Sequence, residues 1–300
     1  MVDVSVLSFI IALVAFGVGA PVLGCLIAGL DRRITARMQG RVGPPLLQPL
    51  YDVQKLLAKD EAGASGPQAF YVCMSLVFAV LAGAFFFAGG NFLLVVFILM
   101  FSTLFFIVAA YSTRSPFAEI GAEREIVQVM SYEPMVVLMT VTFFMATGAF
   151  LGTGTFNVGA VLTLDRPLIV ALPLVFFGLL FILTIKLRKS PFDLSYSHHA
   201  HQELVKGIST EMSGRTLAMV EIMHWYETVL FLGWVGLFLV WGSWIGWVVA
   251  LLGIVLVYLL EIFIDNNFAR VKWQTMLKSS WIVTFVCVVA NMFIFELFIA

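Results

Sequence analysis

Residues 92–111, FLLVVFILMFSTLFFIVAAY, run for twenty positions without a charge. Inside a bilayer no water reaches the backbone, so each N–H and C=O must be satisfied within the segment, and a helix does this. Twenty helical residues rise about 30 Å, the thickness of a hydrocarbon core. Comparable runs recur at residues 4–30, 69–88, 132–151, 167–187, 216–241, 245–264 and 279–298. The expected architecture is therefore an all-α polytopic integral membrane protein with eight transmembrane helices in one membrane domain, residues 1–300. Composition agrees: the chain is 61% hydrophobic and 12% charged, against about 45–50% and about 25% in soluble domains. The first run has no basic region before it and no small-residue cleavage site after it, so it is expected to be a retained span.

Between the first two runs lies a different pattern. DRRITARMQGR places four arginines in eleven residues. In the following segment Leu46, Leu50, Val53 and Leu57 recur at helical spacing, with Gln48, Asp52, Lys55 and Lys59 opposite. Residues 44–60 are too short and too polar to cross, so an interfacial amphipathic helix is expected there. Pro44, Pro45 and Pro49 sit at its entry, where a helix tolerates proline.

Cation placement orients the whole. With the N-terminus outside, residues 31–68, 112–131, 186–216 and 265–278 face inward and carry six, two, five and three Lys or Arg, leaving Arg166 alone outside. Segregation of this kind is what the positive-inside rule describes. The inner face is elaborate and the outer loops are plain, which fits a seat for a soluble module better than a free-standing transporter. No internal repeat of the transporter kind is visible.

Residues 186–227 concentrate the polar groups, with all four of the histidines. Within the following span Glu221, His224 and Glu227 are spaced i, i+3, i+6, an arc of about 120° on a helix. Glu133 heads the fourth span; Glu261 and Glu296 lie near the ends of the last two. Ionisable residues inside a membrane are functional candidates by default, so Glu133, Glu221, His224 and Glu227 are candidate proton carriers, the alternative being pairing with loop cations. His198, His199 and His201 lack the Cys or carboxylate spacing of a metal site, and loop hydrogen bonding or proton exchange suits them better. Cys25, Cys73 and Cys287 are far apart and form no CxxC or iron–sulfur spacing, so no redox centre is expected here. The glycines of GTGTF and SGR have no strand–loop–helix context for phosphate.

Three motifs, in order, carry a resemblance. RVGPPLLQPLYDVQKLLAKDE, GAEREIVQVMSYE and SPFDL followed by ELVKGISTEMSG resemble the cytoplasmic segments of the complex I membrane subunit that closes the quinone chamber (the subunit 1 or H family). The finer likeness is to the homologous membrane subunit of energy-converting (Ech-type, group 4) nickel–iron hydrogenases, whose pattern resembles SPFDL-S-x-SHHAHQELVKG with a later HWYE. Where the quinone-reducing branch has an acidic run between PFDL and the Glu of ELV, this chain has SYSHHAHQ, without acids.

The resemblance implies a non-catalytic anchor and coupling subunit of a prokaryotic cell-membrane complex. Ferredoxin and hydrogen chemistry in docked hydrogenase large and small subunits would be linked to proton or sodium translocation, with an antiporter-like membrane subunit alongside. It implies no cofactor in this chain, the nickel–iron centre and 4Fe–4S clusters belonging to partners, and no nucleic acid. It assigns docking positions to Arg37, Arg41, Gln48, Asp52, Glu119, Glu123, Asp193, His198, His201, Glu203 and Glu211, and adds Glu125 to the proton path. A quinone-chamber subunit of an NADH or F420:quinone oxidoreductase, a sulfane-reductase or formate-linked relative, and a purely structural anchor remain as alternatives.

Overall fold

The computed structural model describes residues 5–61, 66–189, 191–196 and 204–298. His198, His199, His201 and Glu203 lie outside the described residues. Among those described the structure is helical, and β-pairing is limited to two isolated bridges, Asn91 with Asn157 and Phe192 with Val271. The elements are α1 (Val6–Met38), α2 (Gln48–Leu57), α3 (Gly66–Phe87), α4 (Phe92–Tyr111), α5 (Pro116–Leu151), α6 (Pro173–Lys186), α7 (Gly214–Leu239), α8 (Trp244–Asn267), α9 (Trp273–Val283) and α10 (Ala290–Phe298). A π-helical segment, Thr284–Val289, joins the last two. Among the described residues, counting Trp273–Leu297 as one, seven helices are long and apolar enough to cross a membrane.

The apolar pattern placed α4 to the residue, but charge misled it elsewhere. The arginine-rich stretch after the first run is not a loop: α1 continues through it to Met38. Arg, Ala and Met are good helix formers, and the stop comes only at Gly40, with φ 72°, the usual left-handed terminator. Likewise residues 116–131 are not a polar loop. They form the first half of α5, which runs unbroken for 36 residues from Pro116, a first-turn proline, with Glu119 in that turn. Glu133 therefore lies midway along a helix about 54 Å long, not at its head.

The run at 167–187 differs in the other direction. Its α-helix covers only Pro173–Lys186, about 21 Å, after 3₁₀ turns at Val158–Thr163 and Leu168–Val170. Pro167 and Pro173 lack an N–H and push the residue before them out of helical conformation. Asn291, 1% exposed, serves the interrupted backbone: its Nδ2 donates to Ala171 O (3.1 Å) and its Oδ1 accepts from Leu174 N (3.0 Å). Interrupted helices persist at membrane depth when side chains satisfy them in this way.

Packing follows residue size. Ser75 of α3 and Ser102 of α4 each donate to the other's carbonyl at 2.7 Å, an approach that small residues allow. Phe92 and Trp234 meet edge to face, as do Phe92 and Phe143, knitting α4, α5 and α7. The interfacial helix is shorter than expected, ten residues. Of its apolar stripe only Val53 is buried, against Cys25, Ala218 and Trp225; Leu46, Leu50 and Leu57 stay exposed. Its approach to α1 needs Gly29, where a Cβ would fall 1.9 Å from Leu46 O.

Candidate functional site

A cavity of about 540 Å³ opens between the C-terminal ends of α1, α6 and α8 and the first half of α7. Glu221, His224 and Glu227 all face it, so the three-residue spacing on α7 delivers one wall. Asp31 and Arg32 come from α1, Asp265 from α8, and Lys186, Arg188 and Lys189 from the end of α6. Ligand cavities are lined mainly by apolar groups with a few polar ones; here nine of the nineteen lining residues are Asp, Glu, Lys or Arg.

The end of α6 distributes the cations. Arg188 takes φ 56°, a left-handed conformation that costs a side-chain-bearing residue about 1–3 kcal/mol and is kept only where surroundings enforce it. The turn is closed by Arg188 N donating to Ile185 O and Lys189 N to Thr184 O. It sends neighbouring cations in different directions. Lys189 meets Asp31 and, at 3.7 Å, Asp265. Arg188 lies 3.9 Å from Glu125 of α5 and 5.4 Å from the ring of Tyr196. Burial opposes the Arg188 charge, but Glu125 and Glu227 outweigh it and hold the guanidinium above its ordinary value. Lys186 rests its Nζ over the Tyr132 ring at 3.6 Å, with Phe231 at 5.1 Å.

Glu125 is well supplied. Ser195 Oγ donates a short hydrogen bond to it and Gln128 Nε2 another at 3.3 Å. Tyr196 donates its hydroxyl to Glu221 at 2.6 Å, and its ring lies 5.2 Å from that of His224. Burial, then the Glu221 carboxylate, push the Tyr196 phenol well above its ordinary value, so it remains a donor. The short segment after α6 is thereby tied to both α5 and α7.

Two small voids share lining residues with the cavity. One, about 20 Å³, is lined by Glu125, Gln128, Tyr132, Lys186, Arg188 and Glu227. The next, about 10 Å³, is lined by Glu133, Tyr132, Lys186 and Trp234. Of the five candidate proton carriers, Glu221, His224 and Glu227 line the cavity, Glu125 and Glu227 the first void and Glu133 the second, with Lys186 common to all three.

The candidate docking residues scatter. Arg41 reaches the cavity mouth, while Arg37, Glu119, Glu123 and Glu211 stand exposed. Asp52 of α2 is held by Arg32 at 2.5 Å and Gln48 at 3.0 Å. Asp193 is buried, 3% exposed, and bound by Arg270 at 3.0 Å, which pins residues 191–194 to the α8–α9 connection. Lys186, Arg188, Lys189, Asp31, Asp265 and Tyr196 were not singled out by the sequence. Cations after an apolar run read as topology marks, and only the tertiary fold shows them turned inward. Glu261 is fully buried, and neither of its carboxylate oxygens has a hydrogen-bond partner among the described residues. No group of three or more His, Cys, Asp or Glu among the described residues is placed to hold a metal ion.

Comparison with known proteins agrees with this architecture. The family model described as NADH dehydrogenase matches residues 9–296. The chain is 28% identical over 282 residues to hydrogenase-4 component C of Escherichia coli (strain K12), covering 86% of this chain and 87% of that one. It is 28% identical over 299 residues to the H subunit of the NADH-quinone oxidoreductase of Dehalococcoides mccartyi (strain CBDB1), covering 90% and 82%. It shares its fold with a chain of the membrane-bound sulfane sulfur reductase, an archaeal respiratory membrane complex, at a TM-score of 0.80 and 22% identity over 94% of this chain and 99% of that one.

Proposed function

Because this chain belongs to the NADH dehydrogenase family, as a multi-pass membrane subunit of a complex I-like energy-converting assembly, we propose that it anchors and couples an energy-converting nickel–iron hydrogenase of the Ech type. In this reading docked large and small subunits carry the nickel–iron centre and 4Fe–4S clusters and exchange electrons between ferredoxin and protons. This chain would turn their charge changes into proton or sodium movement through itself and an antiporter-like neighbour. The observation that carries the reading is the set of acids and cations that line the cavity and the two small voids, with Lys186 common to all three. In a low-dielectric interior a unit charge altered at the cavity acts on groups a few ångströms away with an energy of several kcal/mol, enough to move a proton between neighbours.

The topology proposed with it has eight crossings and an outside N-terminus, α6 included. Hydrogen bonds support this. Val158 N donates to Gly90 O and Gly242 N to Leu164 O, which levels the segment before α6 with the α3–α4 and α7–α8 turns. Lys189, at the other end of α6, meets the C-terminal ends of α1 and α8. These contacts support counting residues 158–189 as a crossing, and omitting it would put the five cations of residues 186–216 on the plain side.

The hydrogenase branch is favoured by the likeness to hydrogenase-4 component C and by the acid-free SYSHHAHQ interval. A quinone-chamber role is the second reading, supported by a cavity whose volume suits a small organic ligand. Gentle detergent purification of the native complex tests the choice. A companion chain with CxxC pairs near both ends supports the hydrogenase reading; companions without such pairs, together with photoaffinity labelling of this chain by a quinone analogue, overturn it.

A further inference from the structure

Lys186 lines the main cavity and both of the voids beyond it. A different acid borders each step: Glu227 the cavity and the first void, Glu125 the first void, Glu133 the second. All three lie within electrostatic reach of the ammonium. They are not equal claimants. Glu125 already has Arg188, Ser195 and Gln128. Glu133 and Glu227 have neither an ion pair nor a side-chain hydrogen bond among the described residues; Arg188 and Lys186 both act on Glu227, and Lys186 acts on Glu133 as well. Yet Lys186 forms no salt bridge to either there. Its Nζ sits instead over Tyr132, with Phe231 on the other side. A ring face attracts a cation without fixing its direction, by about 0.5–2 kcal/mol, and a lysine stem is long and flexible.

Room for water between the cavity and Glu133 is scant. A void needs about 10–15 Å³ to hold one water molecule. The first void, about 20 Å³, takes one; the second, about 10 Å³, is at the limit. The two voids leave room for about one water each, and Tyr132 lines both of them.

We propose that Lys186 is a proton-relay residue, its side chain moving between Glu227 at the cavity and Glu133 beyond the Tyr132 ring. The step balances. An N–H bond of the ammonium breaks as an O–H bond forms on the Glu133 carboxylate, leaving a neutral amine and a carboxylic acid. The amine then takes the proton of the Glu227 carboxyl, restoring the ammonium and leaving Glu227 ionised. The net change is one proton carried from Glu227 to Glu133. This rests on the proposed coupling role and names the group that links its two ends.

The test uses the native complex in proteoliposomes, with protons translocated per electron pair followed by a pH-sensitive dye. Arginine at this position keeps the positive charge but holds its protons at any ordinary pH. K186R and K186M are both expected to co-purify their partner subunits and to lower the proton-to-electron ratio at least tenfold. E133Q is measured beside them. A blocked E133Q with a K186R that pumps within twofold of native leaves the path standing and overturns the relay, making Lys186 a fixed counter-charge. An E133Q that pumps normally removes the path itself. A K186R that fails to hold its partners makes Lys186 structural and also overturns the relay.

Discussion

Arg188 lies 3.9 Å from Glu125, and the two side chains are 17% and 6% exposed. One comes from a strained turn after α6 and the other from a half of α5 that charge alone marks as loop. Their pairing ties the turn after α6 to α5. Removing one member of a buried pair strands the other, at a cost of about 3–5 kcal/mol, whereas replacing both is often close to neutral. Arg188→Met should therefore destabilise the subunit by roughly that amount, and adding Glu125→Gln should recover most of it. Thermal unfolding of single and double variants in detergent measures the coupling; additive losses would mean that the pair does not interact.

Gly121 sets how closely α5 approaches residues 207–209. A Cβ there would fall 2.2 Å from Ile208 N and 2.5 Å from Gly207 C. Both are backbone atoms and cannot rotate away. Ile208 N meanwhile donates to Ser195 O, beside the hydroxyl that holds Glu125. Gly121→Ala should cost about 1–3 kcal/mol, as overpacking does, seen as a lowered unfolding temperature. Gly17→Ala, with nothing within 4 Å of its Cβ, is the control and should leave stability within about 0.5 kcal/mol.

Asp52 offers a pH handle outside the membrane. Burial would raise its carboxyl, but the hydrogen bonds from Arg32 and Gln48 outweigh this and hold it below the ordinary value. A depressed folded-state value means that the contribution is present above the ordinary carboxylate range and is lost as pH falls through the folded value. Both side chains are about two-fifths exposed, so the pair is worth at most about 1 kcal/mol and weakens with salt. Arg32→Ala should lower stability by less than that at neutral pH and by nothing once Asp52 is protonated; an equal loss at both pH values would show that the arginine acts through packing.

What the sequence revealed, and what it hid, has a physical logic. Apolar length decides where a chain must be helical inside a bilayer, so α4 was legible to the residue and α8 nearly so. Charge does not decide where a helix stops, and the polar ends of α1 and α5 were hidden by treating it as though it did. On α7, helical spacing placed Glu221, His224 and Glu227 on one wall. Lys186, Arg188 and Lys189 were visible only as cations at a span end. Their inward turn depends on the late start of α6 at Pro173, on the left-handed Arg188 and on partners more than fifty residues away.

The central claim is that protons pass along buried acids beside the cavity, driven by chemistry in docked subunits. Glu227 is where that line leaves the cavity. The direct measurement is proton uptake or release by proteoliposomes holding the native complex, wild type against Glu227→Gln, with electron flow recorded in the same sample. The account predicts that the variant keeps its partner subunits and moves at least tenfold fewer protons per electron pair. A ratio equal to that of the wild type would contradict it and leave this subunit an anchor only.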